Sequence, residues 1–280
     1  MKNVHYHRLL FKTVVAQLKA SPRIMQLDIM EGKTLHGEVS GRVLASAAPR
    51  QGLVVDTRMR LTGILVQQLL SLLDPDTDRL RGVLSLEGEL RATIDPRIPF
   101  VTTLETRRPV RLRLTEGRVV HGRVLPKVLK ILNMPAMLRG KVDLDHDGIP
   151  FDLVSATVSV NAGVLHSEDI IFDSPIMKVT GAGTLSLPRD ELNLALAVTP
   201  LGAYSDIIET IPLFGKLFEG DRPGLTTALF EATGSLQDPD VRYLPLHSLA
   251  KGLTGYPKLA LDVLKNIVSL PKDLIPATPK

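Results

Sequence analysis

Asp143, Asp145 and Asp147 followed by Gly148 set a carboxylate at every second residue before a glycine, the first half of a loop that wraps calcium. Such a loop ends in a bidentate glutamate at its twelfth position. Here that position is Val154, and Phe151 to Val160 alternates like a strand where an exiting helix would be needed. An acidic turn between strands is the better reading. His5 and His7 lie two apart without a third ligand, and His36, His121, His146, His166 and His247 are scattered, so the expected metal site is none. The sequence has no phosphate loop ending in Lys-Ser/Thr, no nucleophile elbow and no HExxH. Gly181-Ala182-Gly183 sits inside an alternating strand and is no nucleotide fingerprint. Glu87 and Glu89 share a strand face with Arg81 and Arg91, as a solvated surface would. Neither a catalytic set nor a cofactor is expected. The remaining chemistry is that of an apolar surface. Each buried methylene contributes about 0.8 kcal/mol, so an open greasy face could hold acyl chains without any catalytic residue.

Long strands would have to build that face. From Arg79 to Ala92, Leu80, Leu84, Leu86, Leu90 and Ala92 keep one phase while Arg79, Arg81, Ser85, Glu87, Glu89 and Arg91 keep the other. At about 3.3 Å per residue this predicts a strand of roughly 45 Å with one greasy and one wet side. Leu35, Val39, Val43 and Ala45 predict a second long strand, and Leu53, Val55, Met59 and Leu61 a third. Val110, Leu112 and Leu114 oppose Arg111, Arg113 and Thr115 in a fourth. Further on, Ala156, Val158 and Val160 follow a phase slip at Val154-Ser155 that suits a bulge. Met177, Val179, Leu185 and Leu187, then Leu192, Leu194, Leu196 and Val198, flank a hairpin link at Pro188-Arg189-Asp190. Glycines on the apolar phase predict a curved sheet.

Helical periods are few. Ile64 to Leu73, Val124 to Leu132, and Tyr204, Ile207, Ile208 and Ile211 predict short helices that cap or plug a sheet. Residues 1–21 are expected to form an amphipathic helix. In the tail, Lys258 and Lys265 edge an apolar stripe containing Val263, Leu264, Ile267 and Val268, which suits a helix lying in a membrane interface. Packing on the protein's own sheet explains that stripe about as well.

The chain has 280 residues, 44% of them hydrophobic, which is enough for a core. Only 4% are aromatic, Trp is absent and the net charge is +4, which argues against a nucleic-acid surface. The absence of cysteine removes disulfides and thiolate chemistry. The longest apolar stretch, Gly63 to Leu73, is about half the roughly 20 residues of a membrane span.

Several patches carry a resemblance: LPKVLKILNMP (Leu125 to Pro135), GIPFD (Gly148 to Asp152), SPIMKVTGAGTLSLPRDELNLALAVTPL (Ser174 to Leu201), IPLFGKLFEG (Ile211 to Gly220) and GSLQDPDVRYLP (Gly234 to Pro245). In this order, the segment from about Arg108 to Leu244 resembles the C-terminal region of AsmA-like proteins of Gram-negative bacterial envelopes. Residues 23–104 resemble that family's repeating groove strands more loosely. The resemblance implies a bridge-like lipid-transfer protein in which phospholipid tails slide along a rolled β-groove between inner and outer membrane. It also implies a periplasmic, envelope-associated location, with the targeting or anchor segment outside this chain, which would be a C-terminal fragment or a short member needing a partner.

The expected architecture is mainly β: an elongated, curved antiparallel sheet forming an open hydrophobic groove, with short helices and C-terminal amphipathic helices. Residues 1–104 form a partial groove segment, 105–243 the AsmA-like groove region and 244–280 the helical tail. Expected tail contacts are Leu84, Leu86, Leu90, Leu112, Leu114, Val158, Val160, Val179, Leu185, Leu194 and Leu196. Expected partners are phospholipid, a membrane surface and an envelope protein, with no nucleic acid. A structural or regulatory envelope protein that assists outer-membrane protein assembly, with a closed dry core, is the alternative from another class. An enzyme acting on envelope glycans or lipids comes third.

Overall fold

A computed structural model of the chain describes residues 2–6, 9–48, 52–73, 80–120, 122–132, 148–201 and 227–244. Its strands are β1 (Lys2–Tyr6), β2 (Leu9–Ala20), β3 (Ile24–Thr34), β4 (Gly37–Ala48), β5 (Gly52–Leu65), β6 (Leu80–Ile94) and β7 (Glu105–Val119). They continue as β8 (Ile149–Asn161), β9 (Val164–Asp173), β10 (Met177–Ser186), β11 (Glu191–Pro200), β12 (Ala228–Gly234) and β13 (Asp240–Tyr243). Each pairs antiparallel with its neighbours in chain order, making one mainly β, thirteen-stranded meander whose two end strands do not pair with each other. Helix α1 (Val66–Leu73) links β5 to β6, and α2 (Val124–Ile131) follows β7.

The register turns the alternation of each strand into rows across the sheet. Ile64 pairs with Leu84, Leu84 with Leu114, Leu114 with Val154, Val154 with Phe172, Phe172 with Val179 and Val179 with Val198. Directly opposed residues share a face, so this is a continuous apolar ribbon from β5 to β11. A slip of one residue in any strand would push its leucines into water and its arginines inside, which is why the pattern fixes the register.

The two helices lie over this ribbon. Val66 of α1, Val128 and Leu129 of α2, and Leu132 just beyond α2 are buried in the same cluster as Leu84, Leu114, Phe151, Met177 and Phe230. The short helices therefore do plug the sheet. Phe151 meets Phe172 with ring centroids 5.8 Å apart, and Phe230 meets Tyr243 edge-on at 5.9 Å.

Arg123, four residues beyond β7, donates to the carbonyl of Gln237 in the β12–β13 turn, and Lys127 Nζ reaches Asp238 Oδ1 at 2.6 Å and the Pro239 carbonyl at 2.5 Å, so α2 is tied to the far end of the meander.

Two expectations are corrected. Residues 9–20 are a strand and not a helix: β2 pairs with β3 from Phe11 opposite Thr34 to Ala20 opposite Met25. Thr13, Val14 and Val15 are a β-branched run that disfavours helix, and an isolated short helix is marginal beside a ready-made strand edge. The second long strand begins at Gly37 and not near Leu35, because Leu35 (φ 49°) and His36 (φ 67°) form the two-residue turn that closes the β3–β4 hairpin. The Leu35 carbonyl accepts from Leu65 N–H at 3.0 Å, and its side chain packs at the edge of the core.

Candidate functional site

The apolar side of the sheet changes character along the strands. Among the expected tail contacts, Leu84 (4% exposed), Leu114, Val179 and Leu196 are buried in the same core cluster as Val66 of α1 and Val128 and Leu129 of α2. Leu86, Leu112 and Leu194 are partly buried and packed against that core. Leu90, Val158, Val160 and Leu185 are half-buried and lie outside the core cluster, toward the other strand ends. Leu84, Leu86, Gly88, Leu90 and Ala92 are successive even positions of one strand, and along this single face Leu84 is buried, Leu86 and Leu90 are half-buried, and Ala92 is buried again at the strand's end.

Pairing joins the accessible positions as it joins the sealed ones. Leu18 pairs with Leu27, Leu27 with Val43, Val43 with Thr57 and Thr57 with Leu90. Farther along, half-buried Val160 pairs with Leu165 and Leu165 with Leu185, and the row ends where Leu185 pairs with the buried Leu192. Gly88 lies between Leu86 and Leu90 because Val110 crosses over it: a methyl at position 88 would meet Val110 Cγ2 at 2.7 Å and its Cα at 2.9 Å.

Beside Val160 the strand ends border an open cleft of about 750 Å³ lined by Glu105, Thr106, Ser159, Val160, Asn161, Ala162, Val164 and His166. That volume is within the roughly 300–1,000 Å³ of small-molecule sites. Thr106 clips its wall, its hydroxyl accepting from Val160 N–H at 3.0 Å and donating to the Val160 carbonyl at 3.3 Å. The register slip expected near Val154-Ser155 falls between Ser155 and Ser159, where the freed Thr157 N–H donates to Asp169 Oδ1 at 2.7 Å.

The opposite face is a lattice of charge. Asp28, Arg42, Arg58, Glu89 and Arg108 form a row over β3 to β7 in which Arg42 bonds Asp28, Arg58 meets Glu89 at 2.5 Å and Arg108 meets Glu89 at 3.4 Å. Arg91 grips both oxygens of Asp56 at 2.7 and 2.8 Å, with Arg107 at 3.6 Å, and Arg60 bonds Glu87 at 2.9 Å. These guanidiniums hold the carboxyls of Asp28, Asp56 and Glu87 below their ordinary values, chiefly through the hydrogen bonds from Arg42, Arg91 and Arg60 respectively. Paired charges of this kind, directly opposed across neighbouring strands, reinforce the register.

No group of three metal-ligating side chains occurs among the described residues. The acidic run at 143–147, the 204–211 period and the membrane-contact set Lys258, Val263, Leu264, Lys265, Ile267 and Val268 lie outside the described residues. Among those described, no helix is long and apolar enough to cross a membrane. Sequence reading passed over the contribution of β2 and β3 to the greasy face. The signal was present, since Met25, Leu27 and Ile29 alternate with Gln26 and Asp28. No family model, curated protein or solved structure matches this chain.

Proposed function

We propose that the protein is a non-enzymatic lipid carrier whose accessible apolar rows receive phospholipid acyl chains, moving them between the inner and outer membranes of a Gram-negative envelope. The observation that supports this reading is the change along β6 from buried Leu84 to half-buried Leu90 on one unbroken apolar face. A closed sandwich would bury both. The charged face keeps the other side of the sheet in water, so an acyl chain has one side to choose and its head group stays solvated at the strand ends. The resemblance of 108–244 to AsmA-like proteins supports the envelope setting and the periplasmic location. The functional residues are then Leu90, Val158, Val160 and Leu185, with Leu86, Leu112 and Leu194 at the boundary, and Leu84, Leu114, Val179 and Leu196 as the floor that holds the sheet in shape. Extraction of purified protein with organic solvent tests the reading: co-purifying phospholipid agrees with it, and a well-folded chain free of lipid opposes it.

The helices over the sealed ribbon favour a second reading, a structural or regulatory envelope protein assisting outer-membrane protein assembly. Val128 and Leu132, fully buried, make that part of the sheet a conventional dry core. The same extraction separates the two.

A further inference from the structure

The apolar face runs out to one lip of the sheet and stays exposed there. Leu18 (62% exposed) and Met25 stand at the β2–β3 end, and Leu53 (37%) and Ile94 (49%) face each other on β5 and β6. These four are not isolated. Met25 heads one row, through Ala45 and Val55 to Ala92, and Leu53 and Ile94 lie in the next row, continued on β4 by Ala47, whose N–H donates to the Arg23 carbonyl at 2.8 Å. Ile98 and Phe100 (52%) are exposed on the segment that follows Ile94, which turns at Asp95, whose carbonyl accepts from Ile98 N–H, and folds back so that Thr103 Oγ1 accepts from Thr93 N–H at 3.0 Å.

The charge around the lip is positive. Arg23 is exposed in the turn that joins Leu18's strand to Met25's, and Lys19, on the opposite face of β2 from Leu18, is exposed one residue from the strand's end. Asp95, the carboxylate within this stretch, is buried and gripped by Arg97 through contacts of 2.9 and 2.6 Å, so it adds no exposed negative charge. Aliphatic tips in line, edged by cations, meet the demands of an anionic bilayer surface, where apolar groups enter about 5–10 Å and basic groups stay among phosphates. A protein partner would call for a packed centre rich in Tyr, Trp and Arg, whereas this lip carries Leu, Met and Ile with Phe100 as its ring. The strands from β2 to β6 spread it over about 19 Å, a width suited to lying on a surface.

We propose that the lip formed by Leu18, Met25, Leu53, Ile94, Ile98 and Phe100 docks into the interface of an anionic phospholipid membrane, with Lys19 and Arg23 at the head groups. This deepens the lipid-carrier reading and rests on it for its purpose: the lip is where the accessible rows meet the bilayer that supplies or accepts lipid.

The chain has no Trp, so Phe100→Trp in the full-length protein supplies a single depth probe. With vesicles of phosphatidylcholine and phosphatidylglycerol, its emission is expected to shift to the blue and to be quenched by lipids brominated on the acyl chain. Leu53→Ser/Ile94→Ser is expected to lower vesicle partitioning by about tenfold or more with only a small change in melting temperature, because neither side chain belongs to the buried core. Should that pair fail to fold, Lys19→Gln/Arg23→Gln stands in, with partitioning reduced on anionic vesicles and unchanged on pure phosphatidylcholine. A chain that does not float with the vesicles overturns the proposal. So does one that floats while the introduced tryptophan stays water-exposed, which would assign membrane contact to another surface. Shielding of that tryptophan with rising protein concentration and no lipid would assign the lip to self-association and equally overturn it. Lipid retained by the purified chain is read separately, so an inserted lip on a chain that carries no lipid sinks the carrier reading alone.

Discussion

Leu84 and Leu90 point to the same side of β6, three pleats apart, and only Leu84 is sealed beneath the helices. Under the carrier proposal their difference separates the fold's floor from the surface that would take a guest, and mutations should separate them too. Leu114→Ala, beside Leu84, leaves a cavity and is expected to lower stability by about 2–5 kcal/mol in urea unfolding. Leu90→Glu is expected to change stability far less and to reduce lipid retention severalfold. Equal destabilisation by both would mean that the face is buried throughout.

Gly88 and Val110 are in contact across β6 and β7, so Gly88→Ala forces the strands apart and is expected to destabilise by about 1–3 kcal/mol. The double variant Gly88→Ala/Val110→Ala should recover part of that loss. Additive effects in thermal or urea melts would contradict the contact.

The turn at Leu35 and His36 holds two residues other than glycine at positive φ. His36→Gly removes the strain at one of them, and its hydrogen bond with Gln68 Oε1, at 3.2 Å, is an exposed one. The expected outcome is a gain of about 0.5–1 kcal/mol, read as a higher denaturation midpoint.

Arg97 holds the Asp95 carboxyl down to about 2 from its ordinary 3.8. Because the folded-state value is depressed, the stabilisation is complete above the unfolded value and disappears as pH falls from about 3.8 through about 2. Amide exchange or chain-local fluorescence near residues 94–103 should report loosening in that window, and Asp95→Asn should show the loosened state at neutral pH with little further change in acid.

Asp56 is shared by Arg91 and Arg107 on the wet face. Since the site is partly solvated, Asp56→Asn is expected to cost about 1 kcal/mol or less, with the difference shrinking in roughly 1 M salt. A much larger loss would mean that this charged row is buried against something.

Much of the sheet was legible because period two is unambiguous over long runs. Leu80 to Ala92 alternates too regularly to be read otherwise, and Leu53 to Leu61, Val110 to Leu114 and Leu192 to Val198 fell on observed strands. Residues 12–20 were misread because Lys12 and Lys19 around an apolar stretch mimic a helix face, and only the β3 edge decides for strand. The turn at Leu35 was illegible, since Leu is a poor residue for positive φ and is held there by packing and the bond from Leu65. Which leucines are floor and which are surface cannot be read from alternation, because the phase is the same for Leu84 and Leu90. That distinction depends on where α1 and α2 land. The lip was missed for the same reason: exposed and buried apolar residues look alike until the covering elements are placed.

The most direct test of the carrier account is lipid uptake by the delipidated full chain, followed by native mass spectrometry after incubation with phospholipid vesicles. The account predicts adducts with the mass of intact phospholipid, reduced by Leu90→Glu and by Val160→Glu while both variants keep the wild-type melting temperature. A folded wild-type chain that acquires no lipid, or adducts equally abundant in both variants, would contradict it.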